Sequence, residues 1–516
     1  MADSNSPHSL RPDPMRKVLI VGGGSAGWMA AAALSRALGK AIAVELVESD
    51  AIGIVGVGEA TIPPIRQFNR FCGVDEAEFL RHTHGTFKVG IQFEHWGRPG
   101  DRYIHPFGRV GQEVDAVVRM HHWWCLGQAA GLADYPRWEE LFLGRAATDR
   151  QVFGFDPRQP AGHAGLLPHA YHFDATAYGA YMRRLAEARG VVRTEGTIAS
   201  AERNSENGDV VAVLLDDGRR IEADLFIDCS GFRSLLLGEA MGEPFEDWSR
   251  WLPADRAVVV QSKPTGPEIL PATRAIAHTV GWQWRIPLQH RIGNGHVYSS
   301  AYSSDAEAEA RLLATIEGEV IGSPRLLRFA TGRRDRHWVG NVVALGLAAG
   351  FLEPLESTSI HLVQSGIERL IDLFPSRRIE PTMRDRFNRL GMAEWCQVRD
   401  MVIAHYKVNQ RDDSGFWRDC AAMEVPDSLA ETLALWEARG ALAIDGGHLF
   451  QLGSWAAVLI GQNLLPQSLH PLAARIAPED IAPLVRKTAE AMREQAGNLP
   501  DHAAFVRQYA AAAAEG

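Results

Sequence analysis

The sequence predicts an α/β fold in which a Rossmann-like domain is joined to a strand-rich middle region and a helical C-terminal region. The first observation is an apolar strand, Lys17–Val21, followed at once by glycines and then by an alanine-rich helix, Trp28–Leu38. The second is another apolar strand, Ala43–Val47, which completes a βαβ unit by Ser49. The third is a mostly helical pattern from Pro381 onwards.

The later elements follow from the same periodicities. Asp174–Gly190 is typical of a helix that ends at a glycine. Val210–Leu215 and Ile221–Ile227 flank an Asp-Asp-Gly turn and predict a β-hairpin. A strand at Asn341–Leu345 is followed, after a glycine- and alanine-rich turn, by a helix over about Ser359–Phe374 with one apolar face.

These elements predict a chain whose nucleotide-binding part is assembled from separate segments. The expected organisation is a leader at 1–15, a discontinuous α/β nucleotide-binding domain at 16–100, 165–235 and 336–375, a strand-rich region covering nucleotide and substrate at 101–164 and 236–335, and a helical substrate region at 376–516.

Composition excludes several classes of protein. The 516 residues are 46% hydrophobic and 22% charged, with a net charge of −10, so a nucleic-acid partner is not expected. The longest apolar run, Val342–Leu352, is too short to cross a membrane. The proline-rich leader lacks the apolar core of a signal peptide, so we expect a cytoplasmic protein. Five scattered cysteines without a CxxC pair predict neither disulfides nor a metal site.

The glycine motif predicts dinucleotide binding. Gly22, Gly24 and Gly27 form GxGxxG between a strand and a helix, which places a pyrophosphate at the helix N-terminus beside Ser25 and Ala26. Glu48 ends the second strand about 20 residues later, where an acid binds a ribose hydroxyl. These residues do not distinguish NAD from FAD.

Two further segments carry a resemblance to a known family. Glu353-Pro-Leu-Glu356-Ser-Thr-Ser359 and Trp282-Gln-Trp284-Arg-Ile286-Pro287 both occur in the flavin-dependent tryptophan halogenases, which this sequence resembles from its first strand to beyond residue 360. The other shared segments are Gly56–Pro63, Phe87–Ile91, His105–Phe107 and Asp228–Phe232. Separately, Gly340–Gly350 resembles the later flavin-contacting strand and turn of two-part FAD enzymes.

The resemblance implies an FAD-binding fold of the two-part flavoprotein monooxygenase type. It implies an enzyme that uses FADH2, O2 and chloride or bromide to make hypohalous acid and halogenate an aromatic small molecule. A separate NAD(P)H-dependent flavin reductase would supply the reduced flavin, and the protein would be a monomer or homodimer. Further FAD contacts are implied at Ala60, Thr61, Ile198, Leu347 and Ile360, where Leu347 replaces the aspartate of related hydroxylases.

The family implies catalytic roles for Lys88 and Glu356 and halide binding by Thr358 and Ser359. Taken on their own, these residues allow other interpretations. Lys88 lies in an alternating strand pattern, Thr86–Phe93, that is typical of a solvated lysine. Glu356 is either a helix-start acid or a carboxylate whose pKa burial raises so that it becomes a better base. Thr358 and Ser359 are also typical helix-capping residues.

The aromatic residues also have two interpretations. The resemblance implies that Trp282, Trp284, Ile286 and Pro287 form a wall that screens the flavin from the organic substrate, although core packing explains the same alternation. It implies that His105 and Phe107 line an indole pocket, where His105 could equally be structural.

The substrate region departs from the family pattern. Tryptophan-specific members have a tyrosine pair before a Val-Leu-x-Gly segment, and here Trp455 and Ala456 occupy those positions. Because a site that lacks a polar partner loses discrimination for the group it would bind, we expect indole or an indole derivative rather than free L-tryptophan as substrate. The alternatives are an FAD-dependent aromatic monooxygenase and a non-catalytic FAD-binding protein.

Overall fold

The computed structural model describes residues 13–51, 59–110, 118–155, 167–444 and 446–512. Most of the predicted leader and the motif residues 56–58 lie outside the described residues. The described strands are β1 (Lys17–Val21), β2 (Ala43–Glu48), β3 (Glu59–Ala60), β4 (Thr86–Lys88), β5 (Gly90–Glu94), β6 (Arg102–Pro106), β7 (Ala170–Phe173), β8 (Val192–Glu195), β9 (Ile198–Arg203), β10 (Val210–Leu215), β11 (Arg220–Glu222), β12 (Leu225–Asp228), β13 (Phe245–Asp247), β14 (Arg256–Ser262), β15 (Thr273–Ala277), β16 (Trp282–Pro287), β17 (Ile292–Tyr298), β18 (Val320–Arg328), β19 (Gly332–Arg334), β20 (Trp338–Val339), β21 (Val342–Ala344) and β22 (Gly350–Phe351).

The described α-helices are α1 (Ser25–Leu38), α2 (Ile65–Phe71), α3 (Glu76–His82), α4 (Met120–Ala129), α5 (Leu143–Arg150), α6 (Ala175–Ala188), α7 (Asp305–Thr315), α8 (Ser359–Asp372), α9 (Pro381–Lys407), α10 (Gly415–Ala422), α11 (Asp427–Arg439), α12 (Leu452–Gly461), α13 (Pro478–Gly497) and α14 (His502–Ala512). None of these helices is both long enough and apolar enough to cross a membrane.

A six-stranded sheet in the order β20-β21-β12-β1-β2-β8 carries the glycine motif. The five strands from β21 to β8 are parallel, and β20 pairs antiparallel at the edge. Val18, Leu19 and Ile20 of the central strand are fully buried because layers of the protein cover both faces of a parallel sheet. The strands come from three separate parts of the chain, and the predicted α/β class is confirmed.

A second sheet of seven strands, β18-β14-β17-β16-β15-β5-β6, forms the middle region. It is antiparallel except at β15 and β5. The remaining strands form three small sheets, β11-β10-β9, β13-β19-β22 and β3-β7-β4. In the segment 101–164, where the sequence led us to expect strands, the described residues form β6 and the helices α4 and α5.

The predicted continuous strand Thr86–Phe93 is wrong. β4 ends at Lys88 and pairs with β7, whereas β5 begins at Gly90 and pairs with β6 and β15 in another sheet. The chain changes sheets at Val89, and Gly90 then passes so near β6 that a Cβ there would lie 2.7 Å from the His105 carbonyl oxygen. The side chain of Lys88 therefore does not share a strand face with that of Gln92.

Candidate active site

The glycine turn after β1 leaves open space at the N-terminus of α1. Gly22 has φ +103°, and a Cβ at Gly27 would lie 1.9 Å from the Gly22 carbonyl oxygen, so both positions require glycine. A Cβ at Gly24, in contrast, would meet nothing within 4 Å. The first turn of α1 contains no acidic residue, and no side chain caps it. Its free N–H groups, at Ser25, Ala26 and Gly27, suit an anion.

Glu48 lies beside this turn, as the motif predicts. Its carboxylate accepts hydrogen bonds from Arg193 Nε at 2.5 Å and from Trp28 Nε1 at 3.4 Å. The Glu48 side chain lies directly against the turn, because a Cβ at Gly23 would be 1.5 Å from Glu48 Oε2. The structure therefore brings Glu48 and the glycine turn together.

The other predicted cofactor residues differ in their surroundings. Gly346, which precedes Leu347, lies so near Ala26 that a Cβ on it would be 3.0 Å from the Ala26 Cβ. Leu347 is exposed and lines a cavity of about 470 Å³. Ala60, Thr61, Ile198 and Ile360 are buried, and the Thr61 hydroxyl donates to the Tyr171 carbonyl oxygen at 2.8 Å.

Lys88 is fully buried, so the interpretation as a solvated lysine is wrong. Its ammonium donates to Ser357 Oγ at 2.8 Å and lies 5.4 Å from the ring centre of Phe107. Burial lowers the pKa of Lys88 to about 7, although the charge of Glu356 opposes this shift. Near neutral pH the side chain is therefore present both as ammonium and as free amine.

Two histidines hold the buried carboxylate of Glu356. His105 Nδ1, from β6, lies 2.9 Å from Oε2, and His405 Nε2, from α9, lies 2.5 Å from Oε1. Burial by itself would raise the pKa of Glu356. The combined effect of His105 and His405 is larger and opposite, so the pKa falls below its usual value, to about 2. The expected upward shift of this pKa is therefore wrong, and Glu356 is an ionised acceptor at neutral pH.

A second carboxyl group three residues earlier shows the opposite behaviour. Glu353 is also fully buried, and burial raises its pKa to about 7. Tyr406 and Trp282 oppose this shift, but no histidine faces this group. The contrast shows that the histidines, rather than the depth of burial, keep Glu356 ionised.

The predicted halide residues begin α8. Thr358 precedes the helix and is buried, and its side chain makes no capping hydrogen bond. The alternative of an ordinary side-chain cap therefore does not hold for Thr358. Ser357 has φ +58° and turns its hydroxyl to Lys88. The helix N-terminus, Lys88 and Glu356 thus meet within one buried region.

The predicted aromatic wall is the strand β16. Trp282, Trp284 and Ile286 are all buried, and the two indole rings lie 6.1 Å apart. Pro287, at the end of the strand, accepts a hydrogen bond of 2.7 Å from the Thr86 hydroxyl through its carbonyl oxygen. The wall is thereby attached to β4, the strand that carries Lys88.

A cavity of about 220 Å³ lies at the helical region beside this cluster. Trp455 and Phe450 are among the residues that line it, and the Phe450 ring centre lies 6.1 Å from that of His105. Ala456 is fully buried in α12, so only the first of the two residues in the tyrosine-pair positions lines this cavity.

A family model described as tryptophan halogenase matches residues 17–478. The chain belongs to the tryptophan halogenase family. This halogenase is a flavin-dependent enzyme that uses FADH2 and halide, acts on an aromatic compound and relies on a flavin reductase. The prediction of a flavin-dependent halogenase is confirmed, in place of the alternatives of a monooxygenase and a non-catalytic flavin-binding protein.

Solved structures of other halogenases are closely similar. The flavin-dependent halogenase Xcc4156 from Xanthomonas campestris is 45% identical, with a TM-score of 0.92 over 97% of this chain and 99% of that one. BrvH from Brevundimonas sp. BAL3 is 42% identical, with a TM-score of 0.91 over 96% and 100%. The crystal structure of tryptophan 6-halogenase SttH from Streptomyces toxytricini is 32% identical, with a TM-score of 0.87 over 96% of this chain and 100% of that one.

The residues of this halogenase fit an FAD molecule. The open space at Gly24 and the free N–H groups of α1 suit the pyrophosphate, and Glu48 stands where a ribose hydroxyl would bind. Once bound, reduced flavin supplies the reducing power that activates O2 for halide oxidation.

His405 is a residue of this halogenase that the sequence motifs did not reveal. It lies 49 residues after Glu356 and belongs to no motif of the family resemblance. One signal was present, because His405 interrupts the apolar run Met401–Ala404 of a helix. A buried histidine in such a run needs a polar partner, but the sequence does not say which.

Proposed function

We propose that this halogenase attaches chlorine or bromine to indole or an indole derivative rather than to free L-tryptophan. The observation that carries the choice of substrate is the cavity beside His105, where Trp455 and Phe450 supply aromatic walls. Flat apolar rings bind an indole ring by stacking. Trp455 replaces a hydroxyl-bearing residue that would hold an amino-acid backbone.

Lys88 receives the hypohalous acid and presents its halogen to the substrate. With a pKa of about 7, the side chain offers an ammonium that donates a hydrogen bond to the oxygen of hypohalous acid. It also offers an amine that forms a haloamine: the N–halogen bond forms, the O–halogen bond breaks, and the hydroxyl leaves as water with one amine proton. Either form transfers the halogen as an electrophile to a ring carbon. Phe107 and the Ser357 hydroxyl fix the position of Nζ.

Glu356 removes the ring proton. Attack of the ring on the halogen gives a cationic ring that is a strong acid, so even a carboxylate with a pKa near 2 accepts its proton. The C–H bonding electrons return to the ring, and the proton moves to Glu356. Because Glu356 is ionised, its charge also favours the cationic intermediate before the proton leaves.

Thr358 and Ser359 hold the halide, and the strand β16 separates the substrate from the flavin. The uncapped N-terminus of a 14-residue helix offers N–H groups and the positive end of the helix dipole to an anion. The side chains of β16 are buried and closely packed, so they exclude an organic ring from the space between the substrate and the flavin; they are Trp282, Trp284 and Ile286. Oxidation of the substrate at the flavin would thereby be suppressed.

Turnover of indole should exceed that of L-tryptophan. With FAD, NADH, a flavin reductase and bromide, we expect kcat/KM for indole to be at least about tenfold higher, because Trp455 and Ala456 lack the hydroxyl groups of the tyrosine pair whose positions they occupy. Mass spectrometry of the brominated products measures both rates. Faster turnover of L-tryptophan would disprove the proposed substrate.

The variant Trp455→Tyr tests the residue that supports this preference. It introduces a hydroxyl into the cavity while keeping an aromatic ring, so the ratio of L-tryptophan to indole turnover should rise by about fivefold. Indole turnover in the same preparation is the internal control for folding and flavin supply. An unchanged ratio would show that Trp455 does not contact the substrate.

A further inference from the structure

We propose that His405 is a positioning residue that holds the Glu356 carboxylate with its Nε2–H, and that Tyr103 and Gln462 fix the imidazole in the tautomer that can do so. The inference rests on the proposed role of Glu356 as the acceptor of the ring proton. It adds three residues, on α9, on β6 and just after α12, to the machinery of the reaction.

The four side chains form one continuous hydrogen-bonded chain. His405 Nε2 lies 2.5 Å from Glu356 Oε1, and His405 Nδ1 lies 3.1 Å from the Tyr103 hydroxyl. Gln462 Nε2 donates to that hydroxyl at 3.2 Å and to the His405 carbonyl oxygen at 3.1 Å. The His405 ring also stacks on Phe93, with centres 4.5 Å apart and an angle of 22°.

The direction of each hydrogen bond in this series follows from the backbone carbonyl oxygen of His405, which Gln462 contacts. A backbone carbonyl only accepts, so the Gln462 group facing the His405 carbonyl oxygen is its amide N–H. The same amide donates to the Tyr103 oxygen, which leaves the hydroxyl hydrogen for His405 Nδ1. Burial lowers the pKa of His405, so the neutral ring carries its hydrogen on Nε2 and donates it to Glu356.

Among the described residues, four titratable groups lie near Glu356, and one of them is Tyr103 on β6, whose pKa is raised by burial and by the charge of Glu356. His105 comes from β6, His405 from α9 and Lys88 from β4. The two histidines stabilise the carboxylate, and the carboxylate in turn opposes the fall in the pKa of Lys88 that burial causes. Removing the His405 donor raises the pKa of Glu356, so the active carboxylate is lost as the pH falls through that higher value.

The variant His405→Leu should therefore acquire an acid limb in its pH profile. With indole, bromide and saturating reduced flavin, Lys88 titrates near pH 7 in both proteins, so the kcat of the variant is compared with that of the wild type at each pH from 8 to 6. Relative to the wild type, the variant should lose about tenfold in kcat over this range and recover most of it at pH 8. His405→Gln, whose amide N–H can reach the Nε2 position, should restore the wild-type profile. Release of hypohalous acid, measured with a chemical trap, should be unchanged in all variants.

Two further variants keep the inference falsifiable. Tyr103→Phe removes only the hydroxyl, so it tests the tautomer even if His405→Leu fails to fold, and it should shift the acid limb in the same direction by a smaller amount. His337→Leu removes another buried histidine, which makes no described contact with Glu356, and its profile should match the wild type. A wild-type profile in Tyr103→Phe or in folded His405→Leu would overturn the inference. Full activity in Glu356→Gln would instead overturn the proposed role of Glu356.

Discussion

Replacing Lys88 by methionine is expected to reduce halogenation by at least about a thousandfold, because no other amine reaches the buried region near Glu356 in the described structure. Methionine fills a similar volume, so the flavin site and the fold should remain. Flavin affinity should therefore stay within about twofold of wild type. Product formation by mass spectrometry and flavin binding by fluorescence quenching measure the two quantities separately.

The same variant should be more stable than the wild type. Burial lowers the pKa of Lys88 from 10.5 to about 7, so the folded protein holds the lysine at a cost in free energy. Allowing about 1 kcal/mol for the lost hydrogen bond to Ser357, we expect Lys88→Met to stabilise the fold by about 3 kcal/mol at pH 7 and to raise Tm by about 3 °C.

The stability difference between Lys88→Met and the wild type should depend on pH. Between pH 7 and 10.5 the unfolded chain binds more protons at Lys88 than the folded protein does, so wild-type stability rises with pH in this window. The advantage of Lys88→Met should therefore be largest at and below pH 7 and fade towards pH 10. Lys263→Met, at an exposed lysine paired with Glu319, is the matched control and should change neither Tm nor activity. A Tm of Lys88→Met below that of wild type would contradict the burial cost.

Replacing Gly27 by alanine is expected to destabilise the fold and prevent flavin binding. The added Cβ would lie 1.9 Å from the Gly22 carbonyl oxygen, a backbone atom that cannot rotate away, so α1 would have to move off β1. We expect a loss of about 3 kcal/mol in stability and at least about a hundredfold in FAD affinity. Thermal unfolding and flavin titration measure the two losses.

Substitutions at two other glycines distinguish an effect on flavin binding from an effect on the stability of the fold. A Cβ at Gly24 meets nothing within 4 Å but occupies the space offered to the pyrophosphate, so Gly24→Ala should weaken FAD binding by about tenfold without lowering Tm. Gly497, at the end of α13, is also free of close neighbours, and Gly497→Ala should change neither quantity. Equal FAD affinity in Gly24→Ala and wild type would show that the pyrophosphate does not approach Gly24.

The elements that depend on residues close together in the sequence could be predicted. The strand at Lys17–Val21, the turn at Gly22–Gly27 and the helix beginning at Ser359 were predicted from the sequence and found in the structure. Each depends on interactions between residues a few positions apart, such as the glycines that allow β1 to turn directly into α1. The strand around Lys88 was misjudged, because its alternation cannot show that the chain changes sheets at Val89.

The sequence by itself determined the family, the glycine turn and the identity of Lys88 and Glu356 at the centre of the candidate site. Each of these is recognised from a short contiguous motif. The tertiary structure decided their chemical state. Burial lowers the pKa of Lys88 to about 7, and Glu356 is ionised because His105 and His405 reach it from two separate elements. A pKa depends on desolvation and on charges a few ångströms away, and residues 49 positions apart come that close only when the chain has folded.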